Sequence, residues 1–283
     1  MSKLTLSSQA IAIIGAGNIG HALIGGLTRG GHSRAAEIRA TRRQPEGVAA
    51  LRAEFPGVRC GHDNAAAVRG ATLVVLTVKP LNAPAVFREI RSHLGGSTLV
   101  VSALAGLTTD AITGALGAQR PVVRTMPNTP MLVDQGATAI AAGIHASTAH
   151  LAVVREMFEA VGRVEQVPEY LMDAVTGLSG SGPAYVYMLI EALTDAGVRQ
   201  GLMRSVAFRL STQTVLGAAA LVSQTGKHPA ILRDEVTTPG GTAIAAIAEL
   251  ESHGMRTMII NAVATATRHS KELSGSQIPQ SVP

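Results

Sequence analysis

The segment Gly15-Ala16-Gly17-Asn18-Ile19-Gly20 constrains this chain more than any other, because it joins a short apolar run, Ala10–Ile14, to a helical pattern beginning at His21. A strand that turns through glycines into a helix has a specific physical use. The first glycine permits the tight turn, the second lets the backbone approach a pyrophosphate, and the third lets helix and strand pack closely. The helix N-terminus adds free N–H groups and positive potential. Gly15, Gly17, Asn18, Ile19 and Gly20 are therefore expected to bind a dinucleotide.

The rest of the first half repeats the strand-then-helix pattern. Ala10–Ile14, Glu37–Thr41, Leu73–Val78, Thr98–Ser102, Val122–Thr125 and Ala137–Ala141 read as short buried strands rich in Val, Ile and Thr. Helical patterns between them imply βαβ units around a mostly parallel sheet. A helix over Thr148–Val161 and a strand near Val164–Val167 close this region at Pro168. From Glu169 the apolar residues recur at three- and four-residue spacing, which predicts an all-helical remainder. Ser181-Gly182-Pro183 suits a helix start, Met203–Thr225 a long helix, and Pro239-Gly240-Gly241 the opening of another that closes near His253-Gly254. With 283 residues, about two domains are expected. We place them at 1–168 and 169–283.

Composition removes several classes of function. Apolar residues make up 46% and charged residues 15%, too apolar for a disordered chain. The apolar stretches read as broken by Gly or charged residues short of the roughly 18 needed for a membrane span. The net charge of +5 is scattered, without a run of five like charges, and Trp 0, Tyr 3 and Phe 4 leave few stacking platforms for nucleic acid. No HExxH and no clustered His/Cys spacing points to a metal. One cysteine, Cys60, fits a reducing compartment, so a cytoplasmic location is expected.

Past the second strand a dinucleotide site commonly presents Asp or Glu to the ribose. Here the chain reads Thr41-Arg42-Arg43. A hydroxyl and two guanidiniums suit a 2′-phosphate, so NADPH is expected over NADH, with NADH still possible. Val78-Lys79-Pro80 and Pro127-Asn128 follow later strands and are expected at the nicotinamide end, since ligands bind beyond the carboxyl ends of strands in such sheets. Ser179 and Ser181, in Gly-Leu-Ser-Gly-Ser-Gly, lack the preceding strand of a nucleophile elbow and read as turn and N-cap residues.

GAGNIG, VKP, MPNTP, GLSGSGPAY at Gly177–Tyr185, His228-Pro229 with Leu232-Arg233-Asp234, and TTPGGTA at Thr237–Ala243 occur in order from about Ala10 to Leu273. In this combination the chain resembles the pyrroline-5-carboxylate reductases. The resemblance implies a Rossmann-type dinucleotide-binding domain followed by an all-α dimerisation domain, often assembled into larger rings. It also implies hydride transfer from NAD(P)H to the C=N carbon of a cyclic imine, the last step of proline synthesis. Thr238, Gly241 and Thr242 are implied to hold the substrate carboxylate at a helix start. One position departs from the pattern: relatives place a threonine where this chain has Ala243, and its hydroxyl reaches the substrate nitrogen. Two alternatives stay open, a reductase for a different cyclic imino acid and a non-catalytic NADPH-binding protein. The β-hydroxyacid dehydrogenases, which use a lysine on the first long helix of the second domain, are disfavoured because Tyr185–Ala196 contains none.

Overall fold

The computed structural model describes residues 4–117 and 119–276. The outer limits of the two expected domains, Met1 and Pro283, lie outside the described residues. The chain forms two compact units, Met1–Ser181 with Thr265–Pro283, and Gly182–Ala264.

The first unit is built on eight strands: β1 Ile11–Ile14, β2 Ile38–Thr41, β3 Arg59–Gly61, β4 Leu73–Leu76, β5 Leu99–Ser102, β6 Val122–Met126, β7 Gly136–Ala142 and β8 Gly162–Gln166. Their order is β3-β2-β1-β4-β5-β6-β7-β8. β1 to β6 pair in parallel, β7 runs antiparallel to β6, and β8 is parallel to β7. Strand side chains alternate between faces, so β1 sends Ile11 and Ile13 into one core and Ala12 and Ile14 into the other. Helices cover both faces: α1 Asn18–Arg29, α2 Pro45–Glu54, α3 Asn64–Val68, α4 Ala83–Ile90, α5 Thr109–Leu116 and α6 Thr148–Glu159. The central strands are consequently buried along their whole length, which explains their unbroken apolar runs.

After β8 the chain makes α7, Met172–Val175, and then a π-helical turn, Thr176–Gly180. This corrects the reading of Ser179 as a turn residue, while Ser181 directly precedes the helix that begins at Gly182. The Ser179 hydroxyl donates to the carbonyl of Val175, 3.2 Å away, and the backbone N–H of Ser181 closes the wide turn on Thr176 at 2.8 Å.

The second unit contains α8 Gly182–Arg199, α9 Arg204–Thr225, α10 Pro229–Glu235, α11 Thr242–Ser252 and the start of α12, Met255–Ser276. Gly201, at φ +96°, turns the chain between α8 and α9, and Gly197 lets them approach, since a Cβ there would lie 3.0 Å from that of Ala207. α9 overturns one argument made from sequence. The helix runs unbroken through Arg209 and Gly217, and among the described residues it is long and apolar enough to cross a membrane by length and composition. The unit buries little of itself: Thr194, Ala207 and Ser211 are its buried residues, while Tyr187, Met188, Phe208, Leu216 and Ile260 are more than half exposed. A helical unit with its apolar side chains outside needs another surface to cover them.

Candidate active site

The glycine turn lies at the carboxyl end of β1, in contact with the ends of β2 and β4. Gly15 adopts φ +82°, and a Cβ on it would strike Val78, meeting that residue's Cα and N at 3.0 Å. The Thr77 hydroxyl donates toward the carbonyls of Ile14 and Gly15, at 3.1 and 3.0 Å, and so ties β4 to the turn. Gly17 caps α1 without a side-chain acceptor, and the first turn carries no acidic residue. The leading N–H groups of α1 are therefore left for an incoming anion. A Cβ at Gly17 would meet only the Gly15 carbonyl, 3.8 Å away, so space is open where a pyrophosphate would approach. These observations fit a dinucleotide.

Thr41, expected to reach a 2′-phosphate, is buried and otherwise engaged. Its hydroxyl accepts from the N–H of Gly15 at 3.3 Å and donates to Asn64 Oδ1 at 2.7 Å. It braces the glycine turn. The Asn64 amide in turn donates to Glu89 at 2.7 Å, a link that no short sequence window reveals. Arg42 packs over Gly47 in the first turn of α2, where a Cβ would come within 2.9 Å of its Nε, and Arg43 is exposed. Two guanidiniums thus stand at the end of β2, with no carboxylate in that strand end to oppose a phosphate.

Val78 lies against Gly15, Lys79 is exposed, and Pro80 opens a short 3-10 turn, Pro80–Asn82. Pro127 and Asn128 follow β6, two strands further along the sheet. Asn128 spends its side chain on the protein: Oδ1 accepts from the N–H of Ala137 at 2.8 Å and Nδ2 donates to the carbonyl of Ser179 at 3.0 Å. The amide holds the β6 end, the start of β7 and the π-helical turn together.

A charge cluster not read from the sequence lies on the same strand. Arg124, with a side chain 3% exposed, faces Glu169 at 3.6 Å and Asp173 at 4.0 Å. Glu169 also accepts from the Thr109 N–H and hydroxyl at 2.7 and 2.6 Å, at the first turn of α5. Asp173 accepts from Ser270 at 2.7 Å and from Ser274 at 3.4 Å near the end of α12. These contacts explain why the stretch from Glu169 and the end of α12 group with the sheet.

In the second unit, Gly240 takes φ +69° and the N–H of Gly241 donates to the Thr238 carbonyl at 2.9 Å. Gly241 caps α11 with no side-chain acceptor and no acidic residue follows in the first turn. A Cβ at Gly241 would run into the Thr238 hydroxyl, so glycine is required for that hydroxyl to lie over the turn. Thr242 is exposed and Ala243 half-buried. The arrangement can receive a small anion such as a carboxylate.

The fold and the glycine turn define a dinucleotide-binding oxidoreductase, and the family model described as NADP oxidoreductase coenzyme F420-dependent matches residues 10–106. A second model, pyrroline-5-carboxylate reductase dimerisation, matches residues 169–273. The pyrroline-5-carboxylate reductase of Methanosarcina acetivorans is 41% identical over 95% of this chain and 99% of its own. The solved pyrroline-5-carboxylate reductase of Coxiella burnetii superposes with a TM-score of 0.89 at 36% identity, covering 94% of this chain and 99% of that one. The Plasmodium falciparum enzyme, solved with NADP bound, gives 0.85 at 28% identity over 95% and 99%. The chain belongs to the pyrroline-5-carboxylate reductase family. Its exposed helical surface thereby falls within a dimerisation domain and serves self-association.

Proposed function

We propose that this protein reduces the C=N bond of 1-pyrroline-5-carboxylate to form proline, in the cytoplasm, with NADPH as the favoured reductant and NADH as a poorer one. The observation that carries the reading is the open N-terminus of α11, preceded by Thr238 and capped by a glycine. The backbone N–H groups of Thr242 and Ala243, with the Thr238 and Thr242 hydroxyls, hold the substrate carboxylate. The start of α1 at Gly17, Asn18, Ile19 and Gly20 receives the pyrophosphate, and Arg42 and Arg43 receive the 2′-phosphate. Val78, Lys79, Pro80, Pro127 and Asn128 form the nicotinamide end. Bound NADPH supplies the hydride. A protonated cyclic imine accepts it without a strong catalytic acid, so the chain's work is binding, orientation and exclusion of water. A single buried thiol, Cys60, supports the reducing location.

Ala243 favours a second reading, a reductase for a different cyclic imino acid, because no hydroxyl stands at the family's threonine position. NADPH oxidation with pyrroline-5-carboxylate and with its six-membered homologue decides between them. Turnover on the five-membered imine is expected, and Ala243→Thr should raise kcat/KM about five- to thirty-fold if the hydroxyl bond adds about 1–2 kcal/mol in the transition state. Turnover confined to the six-membered imine moves the assignment to the second reading. Tight NADPH binding with no turnover on either overturns both.

A further inference from the structure

Four residues from separate elements form one line of hydrogen bonds that ends on the glycine turn. Glu89, in the last turn of α4, accepts from Asn64 Nδ2 at 2.7 Å, and Asn64 Oδ1 accepts from the Thr41 hydroxyl at 2.7 Å. That hydroxyl in turn accepts from the N–H of Gly15 at 3.3 Å. Asn64 is anchored at the first turn of α3, where Asp63 Oδ1 accepts from the N–H of Ala66 at 2.9 Å. The line has a direction. A carboxylate only accepts, so Glu89 draws the amide NH2 of Asn64 toward itself and leaves the oxygen side facing Thr41. Thr41 is 3% exposed, and its proton then has an acceptor inside the protein while its lone pairs face Gly15. With the amide turned round, Asn64 Oδ1 would face the carboxylate, acceptor against acceptor, and the Thr41 proton would lose its acceptor. The other side of the turn is held separately, since the Gly15 carbonyl accepts from Thr77 at 3.0 Å.

We infer that Glu89 is a positioning residue for the cofactor: acting through Asn64 and Thr41, it sets the direction of these bonds and so holds the Gly15 peptide in the geometry that receives the pyrophosphate. The inference rests on the glycine turn being the dinucleotide site. Glu89 is exposed, and water could replace it as an acceptor, yet water donates as readily as it accepts and would not choose between the two amide orientations. The carboxylate makes that choice. A turn that spends only a fraction of its time in the binding geometry binds with its affinity reduced by that fraction, so the effect is read in nucleotide affinity. Because NADPH and NADH share the pyrophosphate, both feel it equally.

The test is calorimetric binding of NADPH and of NADH to the full-length protein in about 0.3 M salt, where exposed charges act only over short distances. Glu89→Gln keeps an acceptor for the Asn64 amide and should hold wild-type affinity within about two-fold. Glu89→Lys presents donors instead, turns the amide round and is expected to weaken both nucleotides about five-fold, the size of one hydrogen bond. Charge alone predicts the opposite, because lysine in place of glutamate attracts a dinucleotide. In a Thr41→Val background, which has no hydroxyl to orient, Glu89→Lys should cost nothing further. Wild-type affinity in Glu89→Lys overturns the inference, as do equal losses in Glu89→Gln and Glu89→Lys or an undiminished loss in the Thr41→Val background. A loss confined to NADPH also overturns it, since the effect would then belong to the 2′-phosphate. Gly15→Ala tests the turn itself. If it weakens both nucleotides and Glu89→Lys does not, only the role of Glu89 falls; if neither variant does, the dinucleotide binds elsewhere and both readings fall.

Discussion

Replacing Arg124 by Met removes the cation from a cluster of two carboxylates and leaves Glu169 and Asp173, 26% and 18% exposed, facing an apolar side chain. Breaking a buried ion pair from one side generally costs about 3–5 kcal/mol. Two features place this case at the lower end. Both carboxylates keep other donors, Thr109 for Glu169 and Ser270 with Ser274 for Asp173. Arg124 Nε and Nη2 have no hydrogen-bond partner, so part of the penalty for desolvating the guanidinium is relieved when it is removed. A loss of about 3 kcal/mol follows, which in a chain of this size corresponds to a Tm drop of about 6–12 °C at fixed protein concentration. The sharper test is the triple variant Arg124→Met, Glu169→Gln, Asp173→Asn, in which every member is neutral. If uncompensated charge is the cause, the triple variant recovers most of the loss in thermal unfolding followed by circular dichroism. A single variant within 1 kcal/mol of wild type, or a triple variant less stable than the single, would refute the charge argument.

Two further outcomes are expected. Gly15→Ala forces a Cβ into Val78 at a backbone angle of φ +82°, and should weaken NADPH binding at least ten-fold in fluorescence titration while circular dichroism stays unchanged; unaltered affinity would show that the turn tolerates the strain. His150 Nδ1 accepts the N–H of Ser147 at 3.0 Å in the capping box of α6, which requires the neutral ring, and burial pushes its pKa below the ordinary histidine value. The unfolded chain then binds the proton more readily than the native one. The cap's contribution is complete above the ordinary histidine range and is lost as pH falls through it toward the lowered value. His150→Gln retains the cap without titrating, so its Tm should fall less than that of wild type between pH 7.5 and pH 5.5; parallel declines would remove His150 as a cause.

How legible this protein was depended on how local each feature is. The strands on either side of the glycine turn could be read from Ala10–Ile14 and Leu73–Val78 because buried parallel strands announce themselves as apolar runs. The reversal of β7 could not, since alternation carries no direction. β3, only three residues long, is missing from the strands read in the sequence. Beside the glycine turn, Thr41 reads in sequence as a ligand contact, whereas its hydroxyl serves Gly15 and Asn64. Arg124 with Glu169 and Asp173, and Asn128 with Ser179, join segments far apart in the chain. No window of ordinary length contains both partners, and only the folded sheet brings them together.

The strand order leaves β3 and β8 at the two ends of the sheet, each with a strand on one side only and an outward row of backbone groups on the other, in which the Cys60 and Val164 carbonyls accept from the Arg52 and Arg155 side chains. Such rows invite strand addition and aggregation unless they are blunted. β3 is short and begins with exposed Arg59, and β8 carries exposed Arg163 and Glu165. A second chain docking strand to strand would have to strip water from these charges. Assembly is thereby steered away from the sheet's rims and toward the apolar helices, so that one polypeptide can leave large greasy surfaces uncovered in its own fold without its copies zipping into fibres.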